Sequence, residues 1–174
     1  MAWNRNNGIK LAVLVCLIWI IPSCSISYRF DGGTINYNLT KTITIEEFPN
    51  RAPAVNPMLS QILYQELNNR FIEQTRLVPV DRGGDIEITG EITQYSTQDM
   101  GVKEDALASV TRLNISIRVQ YINNKEPDQD VDQTFSAYRE YDSNRMLDEV
   151  QDELCREICG ELVDNIYNAT VANW

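Results

Sequence analysis

Asp85-Ile-Glu-Ile-Thr-Gly-Glu-Ile-Thr-Gln-Tyr95 alternates apolar and polar side chains, which is the period of a strand buried on one face only. Ile86, Ile88 and Ile92 share one side, with Gly90 between them, and Glu87, Thr89, Glu91 and Thr93 share the other. The alternation returns from Val110 to Ile122, with Leu113, Ile115, Ile117, Val119 and Tyr121 set against Arg112, Asn114, Ser116, Arg118 and Gln120. It returns again from Val131 to Tyr141, where Val131, Phe135 and Ala137 point inward and Thr134, Ser136 and Tyr138 outward. The polar stretches 96–108 and Asn123–Asp130 are predicted to be the connecting loops, so these three strands run antiparallel.

Upstream, Asn38 to Phe48 reads as a further strand, with Ile43 and Ile45 on one side, Thr42, Thr44 and Glu46 on the other, and Pro49-Asn50 as its end. Asn56 and Pro57 then suit a helix start. Leu59, Ile62, Leu63, Leu67 and Phe71 form an apolar stripe at helical spacing, which should end near Thr75. Leu77-Val-Pro-Val80 is an apolar approach to the turn Arg82-Gly-Gly84. At the other end, Asp142-Ser-Asn144 offers caps for a last helix. Its stripe is Leu147, Val150, Leu154, Ile158, Leu162 and Ile166, widened by Cys155 and Val163.

The order is therefore β-α-β-β-β-α. A helical connection lets the first two strands lie parallel with a right-handed crossover. One buried face per strand and one stripe per helix predict an α/β fold: a two-layer sandwich of a four-stranded mixed sheet with both helices on one face. The opposite face then carries Thr, Ser, Glu, Arg, Asn and Tyr. Such a face is either simply hydrated or set against a polar partner, and one partner of that kind is the lumen of an outer-membrane barrel.

The chain begins with Arg5 and Lys10, then Leu11-Ala-Val-Leu-Val-Cys-Leu-Ile-Trp-Ile-Ile21, then Pro22-Ser-Cys24. A basic start, a short apolar core and a small residue describe a secretory leader; a membrane-spanning helix needs roughly 20 apolar residues. A leader running into cysteine looks like a lipoprotein signal, with residues 1–23 removed and Cys24 acylated, palmitate being one such acyl group. The remaining residues, 24–174, make one domain. Two other readings are a cleaved leader in which Cys24 is incidental and an uncleaved anchor. No acidic residue follows Cys24 directly, which points to the outer membrane and a domain facing the periplasm. Just beyond it, Tyr28 and Phe30 alternate like a short edge strand that Gly32-Gly33 breaks.

The full chain has 174 residues and a net charge of −10, a balance that argues against nucleic acid as a partner. It has no histidine, which removes the common serine triads and histidine-based metal sites. Cys155 and Cys159 lie four apart on one helix, a poor geometry for a disulfide, and read as small apolar residues at the edge of the stripe. Glu87 and Glu91 share a strand face, but four residues at about 3.3 Å each separate their Cα atoms by ~13 Å, wider than the roughly 5–9.5 Å between glycosidase carboxyls. Gly83-Gly84 precedes a strand and not a helix, so no phosphate loop is present. The chain is expected not to be an enzyme and to need no cofactor. Arg112 and Arg118 on the open face, with Lys103 in the preceding loop, are candidate contacts for the phosphates of an anionic glycolipid. The competing reading is cross-strand ion pairs with Glu87, Glu91 and Glu46.

These residues in this order resemble a family. After the lipoprotein cysteine come Tyr28-Arg-Phe-Asp-Gly-Gly-Thr-Ile35, Phe48-Pro-Asn50 and the leucine-rich Pro57-Met-Leu59…Leu63…Leu67. Asp85 to Tyr95, a long hairpin and a terminal amphipathic helix follow. The chain resembles LptE, the lipopolysaccharide-assembly lipoproteins of Gram-negative outer membranes, and most of all the short form with a Gly-x-Ile-x-x-Tyr strand, here Gly90-Glu-Ile-Thr-Gln-Tyr95. The resemblance implies a non-catalytic plug inside the LptD barrel that supports the barrel's assembly and helps deliver lipopolysaccharide to the outer leaflet. It supplies no motif for the lipopolysaccharide contacts, so Arg112, Arg118 and Lys103 stand on the residues alone. The alternative is an auxiliary lipid-binding lipoprotein of another envelope transport system.

Overall fold

The computed structural model describes residues 35–54, 56–102 and 109–172. In chain order these form β1 (Thr42–Ile45), α1 (Leu59–Gln74), β2 (Val78–Pro79), β3 (Ile86–Val102), β4 (Ser109–Asn123), a 3-10 turn at Pro127–Gln129, β5 (Val131–Asp142) and α2 (Leu147–Thr170). The leader, Cys24, the Tyr28–Phe30 stretch and Lys103 lie outside the described residues. The sheet runs β2-β1-β3-β4-β5. β1 is parallel to both β2 and β3, while β3–β4 and β4–β5 are antiparallel. The α/β class, the mixed sheet and the two helices are as expected.

The strand count is not: the sheet has five strands, not four. Val78 N–H donates to the Lys41 carbonyl at 2.8 Å and Val80 N–H to that of Ile43 at 2.9 Å. Pro79 lies between them, at the sheet's edge, where its missing N–H costs no ladder bond. A two-residue strand shows no periodicity, so nothing local marks it. β3 also runs on to Val102, through residues expected to be a loop. Pairing with β4 extends it, Thr97 opposite Leu113 and Asp99 opposite Thr111, although no apolar alternation continues there.

Within β3, Ile92 faces Ile117 and Gln94 faces Ser116. Thr93 is the extra residue of a β-bulge, and its hydroxyl donates to the Ser116 carbonyl at 3.1 Å. The sequence placed Thr93 with Glu87 and Glu91. The bulge instead resets the alternation, so Gln94, Ser96 and Gln98 take the outer face. Tyr95 turns inward opposite Ile115, where it is buried.

The Gly-x-Ile-x-x-Tyr motif thus has a physical content at each position. A Cβ on Gly90 would collide with the Arg118 carbonyl oxygen and the Phe48 ring, so the absent side chain lets Phe48 settle, fully buried, against the sheet. Ile92 is wholly buried, and its backbone also binds the Phe48-Pro-Asn50 turn. Ile92 N–H donates to the Pro49 carbonyl at 3.0 Å, and Arg51 N–H donates to that of Ile92 at 2.8 Å.

The buried stripe of α1 is the predicted one, Leu59, Ile62, Leu63, Leu67 and Phe71. α2 buries Val150, Leu154, Cys155, Ile158, Cys159, Leu162, Val163 and Ile166. The two helices pack on each other, α2 also against β4 and β5 and α1 against β1. On β4 the buried large residues are Leu113, Ile115, Ile117, Val119 and Tyr121, one side of the pleat, so both helices lie on that face. Both cysteines are free and fully buried, inside the stripe and not at its edge. Asn56 is buried and its side chain accepts from Met58 N–H at 2.9 Å, ahead of the first turn of α1. Asp142 and Asn144 do not cap α2: Asp142 accepts from Asn144 N–H at 2.8 Å in a turn of its own, and the helix begins at Leu147 without a side-chain cap.

Candidate functional site

The candidate site is the outer face of β3, β4 and β5. Cross-strand register sets its rows: Gln98, Arg112 and Glu140; Ser96, Asn114 and Tyr138; Gln94, Ser116 and Ser136; Glu91, Arg118 and Thr134; Thr89, Gln120 and Asp132. Among the described residues no helix crosses this face. Its exposed large apolar groups include Ile122 and Tyr138.

Both arginines singled out in the sequence are on this face, and each meets a carboxylate of β5. Arg112 Nη2 is 2.7 Å from Glu140 Oε1, and its guanidinium lies 4.0 Å from the centroid of the Tyr138 ring. Arg118 forms a fork to Asp132, Nε to Oδ1 at 2.9 Å and Nη2 to Oδ2 at 2.8 Å. The Asp132 carboxyl is lowered below the usual carboxylate range by the Arg118 hydrogen bond and then by Gln120, while the Arg118 guanidinium is raised by Asp132. The pairs run to β5 and not to Glu46, Glu87 or Glu91. Glu91 does face Arg118 across β3–β4, but Asp132 holds the guanidinium. The two arginines are six residues apart on one strand, ~20 Å, so the fold does not gather them into one cluster.

Between the two ion pairs lies an uncharged track. Ser136 Oγ donates to Ser116 Oγ at 2.8 Å, Ser116 Oγ to Gln94 Oε1 at 3.3 Å, and Gln94 Nε2 to Ser96 Oγ at 2.9 Å. Gln94, Gln98, Asn114, Ser116, Ser136 and Tyr138 line a shallow hollow along it. Amides and hydroxyls pair with either hydrogen-bond polarity and need no counter-charge. The site can therefore lie against neutral polar groups with little desolvation penalty. Sequence reasoning missed Gln94 and Gln98, because only the bulge places them here.

On the buried side a small polar cluster ties the elements together. Tyr95 Oη donates to Gln151 Oε1 at 3.4 Å, and Asn56 Nδ2 lies 3.5 Å from both Gln151 Oε1 and Cys155 Sγ. Burial pushes the Cys155 thiol up to about 11 and that of Cys159 higher still, which leaves both as inert thiols. Among the described residues no group of three or more Cys, Asp or Glu side chains is placed to hold a metal, and no helix is long and apolar enough to cross a membrane.

The fold and this face define a class: a small α/β sandwich whose second sheet surface is polar and, among the described residues, uncovered by any helix. The family model for LptE, lipopolysaccharide-assembly, matches residues 40–170. This span covers β1 to the end of α2, and the chain belongs to the LptE family. No curated protein matches the chain. Among solved structures it is similar to hypothetical protein CT253 from Chlamydia trachomatis, at 11% identity and a TM-score of 0.49, over 75% of this chain and 98% of that one. It is also similar to a minor lipoprotein from Acinetobacter baumannii, at 15% identity and a TM-score of 0.44, over 75% and 90%. Uncharacterized lipoprotein B from Nitrosomonas europaea gives 12% identity and a TM-score of 0.49, over 73% and 79%.

Proposed function

We propose that this member of the family is an outer-membrane lipoprotein that plugs an LptD-type barrel, supports the barrel's assembly and helps deliver lipopolysaccharide to the outer leaflet. In this reading residues 1–23 are removed, Cys24 is acylated, and residues 24–174 form a single domain on the periplasmic side of the membrane. It has no catalytic role. The observation that carries the reading is the bare outer sheet face. Both of its arginines are paired within the chain and its centre is made of amides and hydroxyls, which suits the inward-facing polar side chains of a barrel wall. Arg112, Arg118 and Lys103 are the proposed contacts for lipopolysaccharide phosphates. At Arg112 and Arg118 such a phosphate competes with Glu140 and Asp132 for the guanidinium.

The test is purification of the acylated chain from outer membranes, with mass spectrometry of its mature N-terminus. The expected result is a diacylated or triacylated Cys24 and a large barrel recovered with the chain. Recovery with an inner-membrane ATPase complex and no barrel would replace the plug by an auxiliary lipid-binding lipoprotein.

A further inference from the structure

The sheet has two edges of different character. At one, β2 is two residues long and contains Pro79, a protected edge. At the other, β5 is twelve residues long, without proline, and pairs with β4 in unbroken register.

The direction of its backbone groups follows from one bond. Ser109 and Ser143 continue the β4–β5 register, and Ser143 N–H donates to the Ser109 carbonyl at 3.0 Å. Alternation in an antiparallel pair then turns the N–H and C=O of residues 131, 133, 135, 137, 139 and 141 toward β4. The even-numbered residues direct theirs to the open edge. The Tyr138 carbonyl agrees, because it accepts from Arg139 Nη1 at 2.8 Å, outside the β4–β5 ladder. Arg139 therefore covers the edge at Tyr138. Among the described residues, Asp132, Thr134 and Ser136 present an open backbone over ~13 Å of strand. The charges that would guard this stretch are turned away from it. Asp132 is drawn toward β4 by Arg118, and Arg139 toward α2 by Glu157 at 2.9 Å and Glu161 at 2.6 Å.

We infer that the Asp132–Ser136 edge of β5 receives an extended segment of the partner barrel, adding a sixth strand to the sheet. This rests on the plug reading above. A second copy of this chain is a poor occupant. Antiparallel pairing with matched faces over the full strand sets Asp132 opposite Glu140 or Asp142 of the other copy, twice by symmetry, and like charges directly opposed are destabilising. The complementary segment places Lys or Arg opposite Asp132. Wall strands of a closed barrel are already paired on both sides, so the segment comes from a loop or terminal stretch that enters the lumen.

Amide hydrogen exchange on the free acylated chain and on the barrel complex tests this. In the free chain the Asp132, Thr134 and Ser136 amides exchange fast, and in the complex they slow by about tenfold or more. The Gln133 and Phe135 amides, bonded to β4, are slow in both. Thr134→Pro removes one outward N–H and spares the β4 ladder, so it should lower barrel recovery severalfold with the circular dichroism of the fold retained, and parent-level recovery by the folded variant would overturn the inference. If the barrel is recovered but the three amides exchange as in the free chain, the edge inference is overturned and the plug reading stands. If no barrel is recovered, both fall. Protection already present in a free dimer would make the occupant a second copy and overturn the inference as stated.

Discussion

Asp85 joins the two halves of the sheet through a single carboxylate. It accepts from Lys41 N–H at 2.8 Å and Thr42 N–H at 3.1 Å, and pairs with Lys125 Nζ at 3.2 Å. The Lys41 backbone bond, with smaller help from Lys125 and Thr42 against the cost of burial, lowers its pKa to about 2. A depressed folded-state pKa stabilises above the unfolded value, about 3.8–3.9, and the gain is lost as pH falls from there toward 2. Asp85→Asn should therefore cost about 1–2 kcal/mol at pH 7, the low end for bonds to a charged group, since the side chain is 19% exposed and partly screened. Urea unfolding at a series of pH values should show the gap to the parent shrinking between pH 4 and pH 2; a gap independent of pH would remove the carboxylate from the account. Gly90→Ala drives a methyl group into the Arg118 carbonyl and the Phe48 ring. About 1–3 kcal/mol of overpacking is the expected loss, read as a fall in Tm. Cys155 and Cys159, both buried and both raised, should react with a thiol reagent at neutral pH only at the rate of unfolding.

At the scale of elements, the bulge in β3 is the device that matters most. Deleting Thr93 would restore a plain alternation, and a one-residue slip sends one half of the strand's side chains to the wrong face. Either Tyr95 leaves the core or Ile86, Ile88 and Ile92 do. A loss of roughly 3–5 kcal/mol is expected, comparable to truncating a large core side chain, and visible in the urea midpoint. Substituting Thr93→Val keeps the extra residue and should cost far less, which separates the count of residues from the hydroxyl bond. The α1 stripe was legible in the sequence down to individual residues, and the α2 stripe in all but Cys159 and its first residue, Leu147, because positions three and four apart carry that signal within one segment. β2 was not legible, since its two residues become a strand only through hydrogen bonds to β1. Asp142 and Asn144 misled for a related reason: the same side chains that cap a helix also close a turn, and here the turn prevails.

For the molecule as a whole, the outer face settles which charges are available to a ligand. Arg112→Glu with Arg118→Glu removes both guanidiniums and sets a new carboxylate beside Glu140 and another beside Asp132. Each like-charge pair is expected to cost a little stability, with the circular dichroism of the fold retained. Lipopolysaccharide binding by the double variant should weaken; unchanged binding by the folded variant would take Arg112 and Arg118 out of the ligand site. That the face is polar could be read from Arg112, Asn114, Ser116, Arg118 and Gln120. That Arg112 meets Glu140 and Arg118 meets Asp132 could not.

By itself the sequence determined the class of fold, the apolar stripes, the polar surface left over and the order of motifs that places the chain in its family. All of these are written in the spacing of neighbours along one segment. The tertiary structure decided the fifth strand, the inward turn of Tyr95, the carboxylate partners of both arginines and the open edge of β5. Each depends on which residue of a distant segment lies opposite, and that register arises only when the strands are laid side by side.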